Sequence, residues 1–338
     1  MKNYKLFANM LLAALCLCLA SCNKEEVEKP TSDKITTGKV NQITTHSATL
    51  SGDVNVDIKG YNTIKFGIML SDNLQDLNDR TGEIILYPTL NGTNYAIEVD
   101  DLEDNTQYYY CAFVLLNDIQ FEYGAIKDFT TDKLVIDPCP FPVSDSKSVY
   151  FSKGNLRDDW SFAKHQYEMN SNYLFYTYND YGSIENTIDD GYAWYTLSNS
   201  EWNYLLNERY DADELIGVGC IQFRNATYIN GLILLPYASA IPTEITFHPG
   251  FTTSYYNDYT QNIYTISKWQ EMESRGIIFF PTTSIYEYTD TDEMGIYGPS
   301  MQRLISSSSI SFNSHGIDIG FMNSEHYAIR LVRDATSN

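Results

Sequence analysis

Tyrosine is the side chain whose number and placement first suggest a chemistry, and that chemistry is ligand binding. Of the 28 tyrosines, 20 lie in residues 148–338 and seven in residues 23–147. Many stand beside Asn, Ser, Thr or Asp, as in Tyr173–Tyr181, Tyr255–Tyr264 and Tyr286-Glu-Tyr288. A tyrosine ring offers a large rigid contact area at low entropic cost and keeps a hydroxyl for hydrogen bonding. The composition predicts a binding surface in the second half of the chain, although many of these rings are expected to be half-buried strand residues.

An acidic segment offers oxygen ligands for calcium. Asp290-Thr-Asp292-Glu-Met-Gly295 places hard oxygen donors two residues apart before a glycine, as calcium loops require. However, Met294 replaces a third donor, and Met301 stands where such a loop needs a bidentate glutamate. We therefore favour a solvated acidic turn, with Asp290 and Asp292 as the calcium alternative, and expect no cofactor.

Catalytic motifs are missing from the sequence. It contains no His-Glu-x-x-His, no Gly-x-Ser-x-Gly and no glycine-rich phosphate loop. Of the five histidines, only His315 and His326 are near one another in sequence. We therefore expect a binding protein rather than an enzyme.

The first 22 residues have the form of a sorting signal. A basic start, Met1–Lys5, precedes the apolar stretch Leu6–Leu19, which is shorter than the roughly 20 residues of a spanning helix. Leu19-Ala-Ser-Cys22 resembles the lipobox of bacterial lipoproteins, which implies removal of residues 1–21 and acylation of Cys22. The alternative is an ordinary secretory peptide with a chance cysteine. Asn23-Lys-Glu-Glu26 looks like the surface-display tag of Bacteroidetes lipoproteins, which implies an outer-membrane anchor facing the cell exterior.

The charge excludes one class of partner. The chain has 22 Lys and Arg against 44 Asp and Glu, a net charge of −22. Without residues 1–21, which contain Lys2 and Lys5 and no acids, the charge is 20 − 44 = −24. A chain with this much negative charge is repelled by phosphate backbones and by anionic bilayers. Nucleic acid is therefore excluded as a partner, and we expect the protein to contact the membrane through its lipid only.

Three cysteines remain after the signal and the lipid site: Cys111, Cys139 and Cys220. An odd number cannot form a complete disulfide framework. A single bridge between Cys139 and Cys220 is one alternative, and buried free thiols are the interpretation we favour. No Cys-x-x-Cys supports a zinc site.

Proline-rich segments divide the chain after Cys22 into a tether, a strand-rich region and a second domain. Residues 22–34 are expected to be an acylated tether, and about seven short strands are predicted within 35–132. Asn91-Gly92 between two of these strands predicts a hairpin turn. Residues 133–147 contain three closely spaced prolines and predict a semi-rigid linker.

Residues 35–132 carry the first family resemblance. Leu102-Glu-Asp-Asn-Thr-Gln-Tyr108 looks like the tyrosine corner of fibronectin type III domains, with Asp104 in place of the proline. The resemblance implies an all-β fibronectin type III-like sandwich in which the Tyr108 hydroxyl bonds back to the upstream backbone. The tryptophan usual on the second strand is missing, and Gly52 stands near its place. Such domains are mostly spacers.

Residues 148–335 are predicted to be α+β. Ser198-Asn-Ser-Glu201 and Ser267-Lys-Trp-Gln270 are capping boxes that predict helices, the first over about 198–209 and the second ending at Gly276. Strands are predicted at Val149–Phe151 and Trp160–Ala163. The remaining strands are predicted at Gly231–Leu235, Gly276–Phe280 and Tyr327–Arg333.

The second resemblance covers nearly all of this domain. Trp194-Tyr-Thr-Leu197, with Glu201-Trp202, is similar to a block of C-type-lectin-like domains in Bacteroidetes lipoproteins, relatives of the fibrobacter major-paralogue and formylglycine-generating groups. Arg330-Leu-Val-Arg333 matches the terminal motif of those domains. Formylglycine generation requires reactive cysteines late in the domain, and no cysteine follows Cys220.

The lectin-like resemblance also implies a ligand face on the long loops before the terminal strands. Carried over to this chain, that face comprises Tyr286, Tyr288, Tyr297, Asn313, His315, Asn323, His326 and Tyr327. The expected function is a lipid-anchored surface adhesin or ligand-recognition head that engages a surface glycan or protein. The alternative is a glycan-binding lipoprotein of a polysaccharide uptake system.

Overall fold

The computed structural model describes residues 31–55, 60–87, 93–137, 139–157, 159–168, 191–250, 259–281, 302–305, 309–313, 316–320 and 330–335. In the strands between 302 and 320 it describes the backbone alone. The predicted signal peptide and Cys22 lie outside these ranges. Within them, no helix is both long enough and apolar enough to cross a membrane.

The described residues are mostly strands with few helices. The strands are β1 Ile35–Thr37, β2 Ala48–Val54, β3 Ile64–Ser71, β4 Glu83–Tyr87, β5 Asn94–Val99, β6 Gln107–Leu116, β7 Gln120–Tyr123, β8 Lys127–Thr130, β9 Phe141–Ser144, β10 Lys147–Phe151, β11 Ile216–Gln222, β12 Tyr228–Leu234, β13 Ile263–Thr265, β14 Ile278–Pro281, β15 Gln302–Ile305, β16 Ser309–Asn313, β17 Gly316–Gly320 and β18 Val332–Asp334. The α-helices are α1 Leu74–Asp79, α2 Asn199–Asn203 and α3 Ile266–Ser274, and α2 continues as a π-helical turn, Tyr204–Glu208.

The chain forms two compact units. The first comprises the described residues up to Lys39 together with Leu50–Ile97 and Tyr108–Phe129. The second comprises Val40–Thr49, Glu98–Gln107 and the described residues from Thr130 onward.

The first unit is built from two antiparallel sheets arranged as a β-sandwich. One sheet has the order β1-β2-β5, and the other has the order β4-β3-β6-β7 with β8 also paired to β6. The alternation of apolar residues in β2 buries Ala48, Leu50 and Val54, as a half-buried strand requires. Hydrogen bonds between side chains and backbone link the two sheets. The Tyr95 hydroxyl donates to the Gly67 carbonyl at 2.7 Å, and the Ala112 amide donates to the Thr37 hydroxyl at 3.0 Å.

Asn91-Gly92 lies outside the described residues, but the strands on either side of it do not pair with each other as the predicted hairpin requires. The strand before it, β4, pairs with β3, and the strand after it, β5, belongs to the other sheet, beside β2. Strands β4 and β5 therefore belong to opposite sheets, whose apolar faces pack against each other in the sandwich. A short helix that the sequence pattern did not predict, α1, places Leu77 over the outer face of β3 and β6.

Gly52 leaves space for the ring of Tyr95 in an aromatic cluster of the sandwich. The buried ring of Tyr95 lies against Gly52 and packs on Phe66 and Tyr87, with centroid distances of 5.2 and 5.6 Å. A tyrosine from β5 thus fills space next to the position where the missing tryptophan was expected. Tyr108 is buried and stacks on Phe129 at 5.7 Å.

Adding a methyl group at Gly52 should therefore destabilise the sandwich. The new Cβ of Gly52→Ala would lie 2.4 Å from the Tyr95 ring, so the ring must shift and strain its hydroxyl contact. We expect a loss of about 1–3 kcal/mol in the free energy of unfolding, measured by denaturant titration. Gly60→Ala is the control, because its Cβ would meet nothing within 4 Å. Equal effects of the two variants would refute this account of Gly52.

The second unit is centred on the sheet β13-β11-β12-β14, which is buried on both faces. Leu232 and Phe280 pack into one core with Trp202 of α2, while Ile233 and Phe279 pack into the other. The second core also holds Trp269 and Met272 of α3. Burial on both faces explains why β12 and β14 are continuous apolar runs rather than alternating ones. Two three-stranded sheets accompany it, β9-β10-β18 and β15-β16-β17.

One of the two predicted capping boxes is confirmed and the other is wrong. The Ser198 side chain accepts from the Glu201 amide, and the Glu201 carboxylate accepts from the Ser198 amide, so α2 begins as predicted. Helix α3 begins one residue before Ser267, with Thr265 at its N-cap. Ser267 instead donates through its amide and hydroxyl to Asp101, at 3.1 and 2.7 Å.

Three further predictions about local structure can be compared with the fold. Gly276 follows α3 with φ +81, the left-handed conformation expected of a helix stop. The predicted strand Trp160–Ala163 is reduced to a single bridge between Leu156 and Phe162, and Trp160 itself has φ +65. Strand β9 falls within the stretch predicted as a linker, because Phe141 and Val143 are buried in the unit's core.

The buried guanidinium of Arg330 connects several segments of this unit. Its Nε donates to Asn155 Oδ1 at 2.8 Å, and its two terminal nitrogens donate to the carbonyls of Ser152 at 3.3 Å and Phe279 at 3.1 Å. The side chain is 1% exposed. A buried charge is tolerated only when its donors are satisfied, so these contacts hold β18 in place beside β10.

Candidate functional site

Nearly all of the ligand residues predicted from the sequence lie outside the described residues. This holds for Tyr286, Tyr288, Asp290, Asp292, Tyr297, His315, Asn323, His326 and Tyr327. Asn313 is the last residue of β16, where the backbone pairs with Gly316 of β17. The predicted face is therefore untested, and the candidate site must come from the rest of the second unit.

The sheet β9-β10-β18 has two different faces. Val149 of β10 and Val332 of β18 face the buried core. Tyr150 and Arg333, which are directly paired across the two strands, lie on the opposite face. Two backbone hydrogen bonds between Tyr195 and Val332, at 2.9 and 2.8 Å, fix the segment 192–195 along the free edge of β18.

An aromatic cluster surrounds Arg333 on that outer face. The Arg333 Cζ atom lies 4.1 Å from the ring centroid of Tyr192 and 4.7 Å from that of Tyr150. Trp194 supports the cluster from below, 6.0 Å from Arg333 and 6.2 Å from Tyr192, and packs edge-on against Phe162 at 4.9 Å. We call Tyr150, Tyr192 and Arg333 the arginine–tyrosine patch.

The patch is preorganised and accessible. Tyr192 is 51% exposed, whereas Trp194 beneath it is buried. Cation–π contacts at such sites contribute about 0.5–1 kcal/mol each and restrict the long arginine side chain. Tyr, Trp and Arg are also the residues that dominate binding energy at protein surfaces. An exposed ring beside an ordered guanidinium can stack on a ligand and donate hydrogen bonds to it.

The charge of Arg333 is not neutralised by its neighbours. Its sequence neighbour Asp334 faces the other side of the strand, where it accepts from the Tyr195 hydroxyl at 2.5 Å. Lys147, on that side too, is paired with Glu201 at 2.6 Å. Among the described residues, no carboxylate forms an ion pair with Arg333. The patch is thus a local positive site on a strongly acidic chain.

Sequence reasoning missed this patch for an identifiable reason. Tyr192 and Trp194 are separated from Arg333 by about 140 residues, and Tyr150 by about 180, so no local pattern joins them. Arg330 and Arg333 belong to the same short motif, and residue type alone does not show that Arg330 is buried whereas Arg333 is partly exposed. Only the folded structure shows it.

The second unit also carries a shallow polar depression of about 430 Å³, lined by Thr45, His46, Asp100, Leu134, Ser267, Lys268, Gln270, Glu271 and Ser274. Its volume suits a small ligand. Several of its polar groups already have protein partners: Ser267 bonds Asp101, and Gln270 donates to the Leu102 carbonyl at 2.9 Å. Its lining includes no Tyr, Trp or Phe, so it is a weaker candidate than the arginine–tyrosine patch.

A buried ionic network lies elsewhere in this unit. His165, 6% exposed, contacts Glu103 through Nε2 and Asp104 through Nδ1, each at 3.3 Å, and stacks on Tyr167. Burial disfavours the imidazolium, but the two carboxylates outweigh that effect and raise the pKa of His165. The same contacts lower the pKa values of Glu103 and Asp104 in spite of their burial. Each of these three charged groups has an ionic partner within the second unit, as a structural ion-pair network requires.

Glu273 of α3 lies close to that network. Its side chain lines a cavity of about 50 Å³ together with Gln166 and Lys153. Burial raises the pKa of Glu273 to about 7, against the smaller opposing effects of Gln166 and His165. Its carboxyl group is therefore largely protonated below neutral pH.

Replacing Glu273 should change how stability depends on pH. Because its folded pKa is raised from 4.5 to about 7, the folded chain keeps a proton that the unfolded chain releases, and stability falls as pH rises through that range. Glu273→Gln mimics the protonated form. We expect it to unfold with a free energy on the order of 1–3 kcal/mol above wild type at about pH 8, and with little difference at about pH 5.

Urea titrations at the two pH values measure this difference. Glu271→Gln is the control, since Glu271 is an exposed carboxylate on the same helix. If wild type and Glu273→Gln lost stability equally between the two pH values, the assignment of a buried, protonated Glu273 would be wrong.

Metal and thiol chemistry find little support in the described part of the chain. There, no three His, Cys, Asp or Glu side chains are grouped so as to hold a metal ion. Cys111, Cys139 and Cys220 are free thiols, as predicted. Burial raises the pKa of Cys111 to about 11 and that of Cys220 to about 12, so neither is a thiolate at neutral pH.

Comparisons with known proteins give weak structural neighbours only. No protein-family model and no curated protein matches the chain. The sensor domain of the anti-sigma factor RsgI4 from Pseudobacteroides cellulosolvens is 17% identical, covers 31% of this chain and 98% of its own, and has a TM-score of 0.23. A fibronectin type III domain from the human KIAA0970 protein is 17% identical over 31% of this chain and 77% of its own, with a TM-score of 0.24. Both TM-scores are low, so neither likeness contributes to the function proposed below.

Proposed function

We propose that this protein is a lipid-anchored surface binding protein whose second unit recognises a glycan or protein ligand. The observation that carries the proposal is the arginine–tyrosine patch, an exposed and ordered aromatic surface on a unit rich in tyrosine. Enclosed catalytic pockets and activated nucleophiles have no counterpart in the patch, so its chemistry is recognition rather than catalysis.

The rest of the chain fits this role. Acylation at Cys22 would hold the protein on the outer membrane, facing the cell exterior. The fibronectin type III-like sandwich would act as a spacer, and the C-type-lectin-like head would carry the ligand. The loops that contain Tyr286, Tyr288 and Tyr297 would extend the recognition surface. An adhesin is the first candidate.

Glycan capture for a polysaccharide uptake system is the second candidate. It is favoured by the exposed ring of Tyr192, because a planar aromatic ring can pack against the apolar face of a sugar. Protein adhesion and glycan capture differ in their ligands, so one binding experiment separates them.

Removing the Tyr192 ring should weaken ligand binding. The soluble chain of residues 23–338 would be tested on a glycan array and against bacterial and epithelial cells. Truncation of an aromatic anchor costs about 2 kcal/mol, so Tyr192→Ala should lower affinity roughly thirtyfold. Tyr210→Ala is the matched control, since Tyr210 is 89% exposed and lies outside the patch.

The outcomes divide the candidates. Glycan signals that depend on Tyr192 would favour capture, and cell binding without glycan signals would favour protein adhesion. Binding that Tyr192→Ala and Tyr210→Ala leave equally intact would overturn the patch as the recognition surface. Weakening by Lys268→Ala would then assign the ligand to the polar depression.

A further inference from the structure

We infer that the arginine–tyrosine patch selects a ligand with one carboxylate-bearing sugar, at the end of an otherwise neutral glycan. The inference rests on the proposed function and names the ligand chemistry of the same site. Three properties of the patch lead to it: the free charge of Arg333, the exposed ring beside that charge, and the acidity of the surrounding chain.

The guanidinium of Arg333 supplies the anion contact. It is permanently charged, presents a planar fork of N–H donors that matches a carboxylate, and is partly exposed. Its described contacts are with aromatic rings, and within the part of the chain that the structure describes no side chain forms an ion pair with it. The other terminal arginine, Arg330, has its donors directed into the core. A ligand carboxylate would therefore satisfy N–H donors of Arg333 that have no ionic partner among the described residues.

The ring of Tyr192 supplies the second contact and favours a sugar. It lies 4.1 Å from the Arg333 Cζ atom, so a single compact group can touch both. A pyranose ring with a carboxylate substituent has an apolar C–H face to stack on the tyrosine and an anion to reach the guanidinium. An isolated inorganic anion would use the arginine alone.

The acidity of the chain limits the number of negative charges in the ligand. A net charge of −22 repels polyanions, and nearby Lys147 is already paired with Glu201. One unpaired guanidinium compensates one carboxylate. The patch should thus prefer a terminal acidic sugar over a polymer with a carboxylate or sulfate on every residue.

Titration calorimetry with matched oligosaccharides tests the inference. The probes are sialyllactose, a lactose capped with glucuronic acid, neutral lactose, and polygalacturonate as the polyanion. A charge-assisted hydrogen bond contributes about 1.5–3 kcal/mol, so at least one capped sugar should bind about tenfold or more tightly than lactose. The two capped sugars distinguish the source of the carboxylate. Added salt should reduce the preference.

Variants of Arg333 test whether its side chain causes the preference for capped over neutral sugars. Arg333→Gln should bind capped and neutral sugars equally, and Arg333→Lys should retain part of the preference because it keeps the charge but loses the fork. Arg275→Gln, an exposed arginine at the end of α3, should behave as wild type. Circular dichroism of each variant confirms that it is folded.

The results separate this inference from the proposed function. Equal affinity of wild type for capped and neutral sugars, tighter binding of polygalacturonate, or a preference that survives Arg333→Gln would overturn the acidic-sugar assignment. The proposed function would stand in those cases if Tyr192→Ala still abolished array or cell binding. If wild type shows no preference for the capped sugars and Tyr192→Ala does not weaken binding either, the patch is not the ligand site.

Discussion

The arrangement of strands in the second unit depends on a buried guanidinium whose N–H donors need hydrogen-bond acceptors. Arg330 is the guanidinium in question, and it donates to acceptors at Ser152, Asn155 and Phe279 from inside the core. Leaving such donors without partners would cost several kcal/mol, so the loop after β10 and strand β14 must approach the same point. This requirement places β18 against β10 and thereby determines which residues lie on each side of that small sheet.

The candidate site is a consequence of that placement. Val332 of β18 is directed into the core, so the alternation of the strand turns Arg333 outward, onto the face that carries Tyr150. The bridge between Tyr195 and Val332 then brings Tyr192 and its supporting Trp194 alongside. A structural arginine and a candidate ligand arginine are thus three residues apart in one motif, and their roles differ because their environments differ.

Local signals predicted many of the elements, and tertiary contacts changed some of them. The capping box at Ser198, the stop at Gly276 and the apolar strand β12 were readable because each depends on neighbours within a few residues. Ser267 has the same local signature as Ser198, but Asp101 bonds it instead. The strands on either side of Asn91-Gly92 do not form a hairpin, because β4 and β5 find their partners in different sheets. The site itself was not predictable, since no short-range pattern contains it.

The sequence by itself determined the composition-level properties of this protein: its acidity, its excess of tyrosine after residue 148 and its strand-rich character. These follow from residue types or from interactions between near neighbours. The tertiary structure decided which strands pair, which of two arginines is buried, and which tyrosines meet at the surface. Those outcomes depend on burying charge and apolar area between segments more than 100 residues apart, and the free energy of such contacts exists only once the chain has folded.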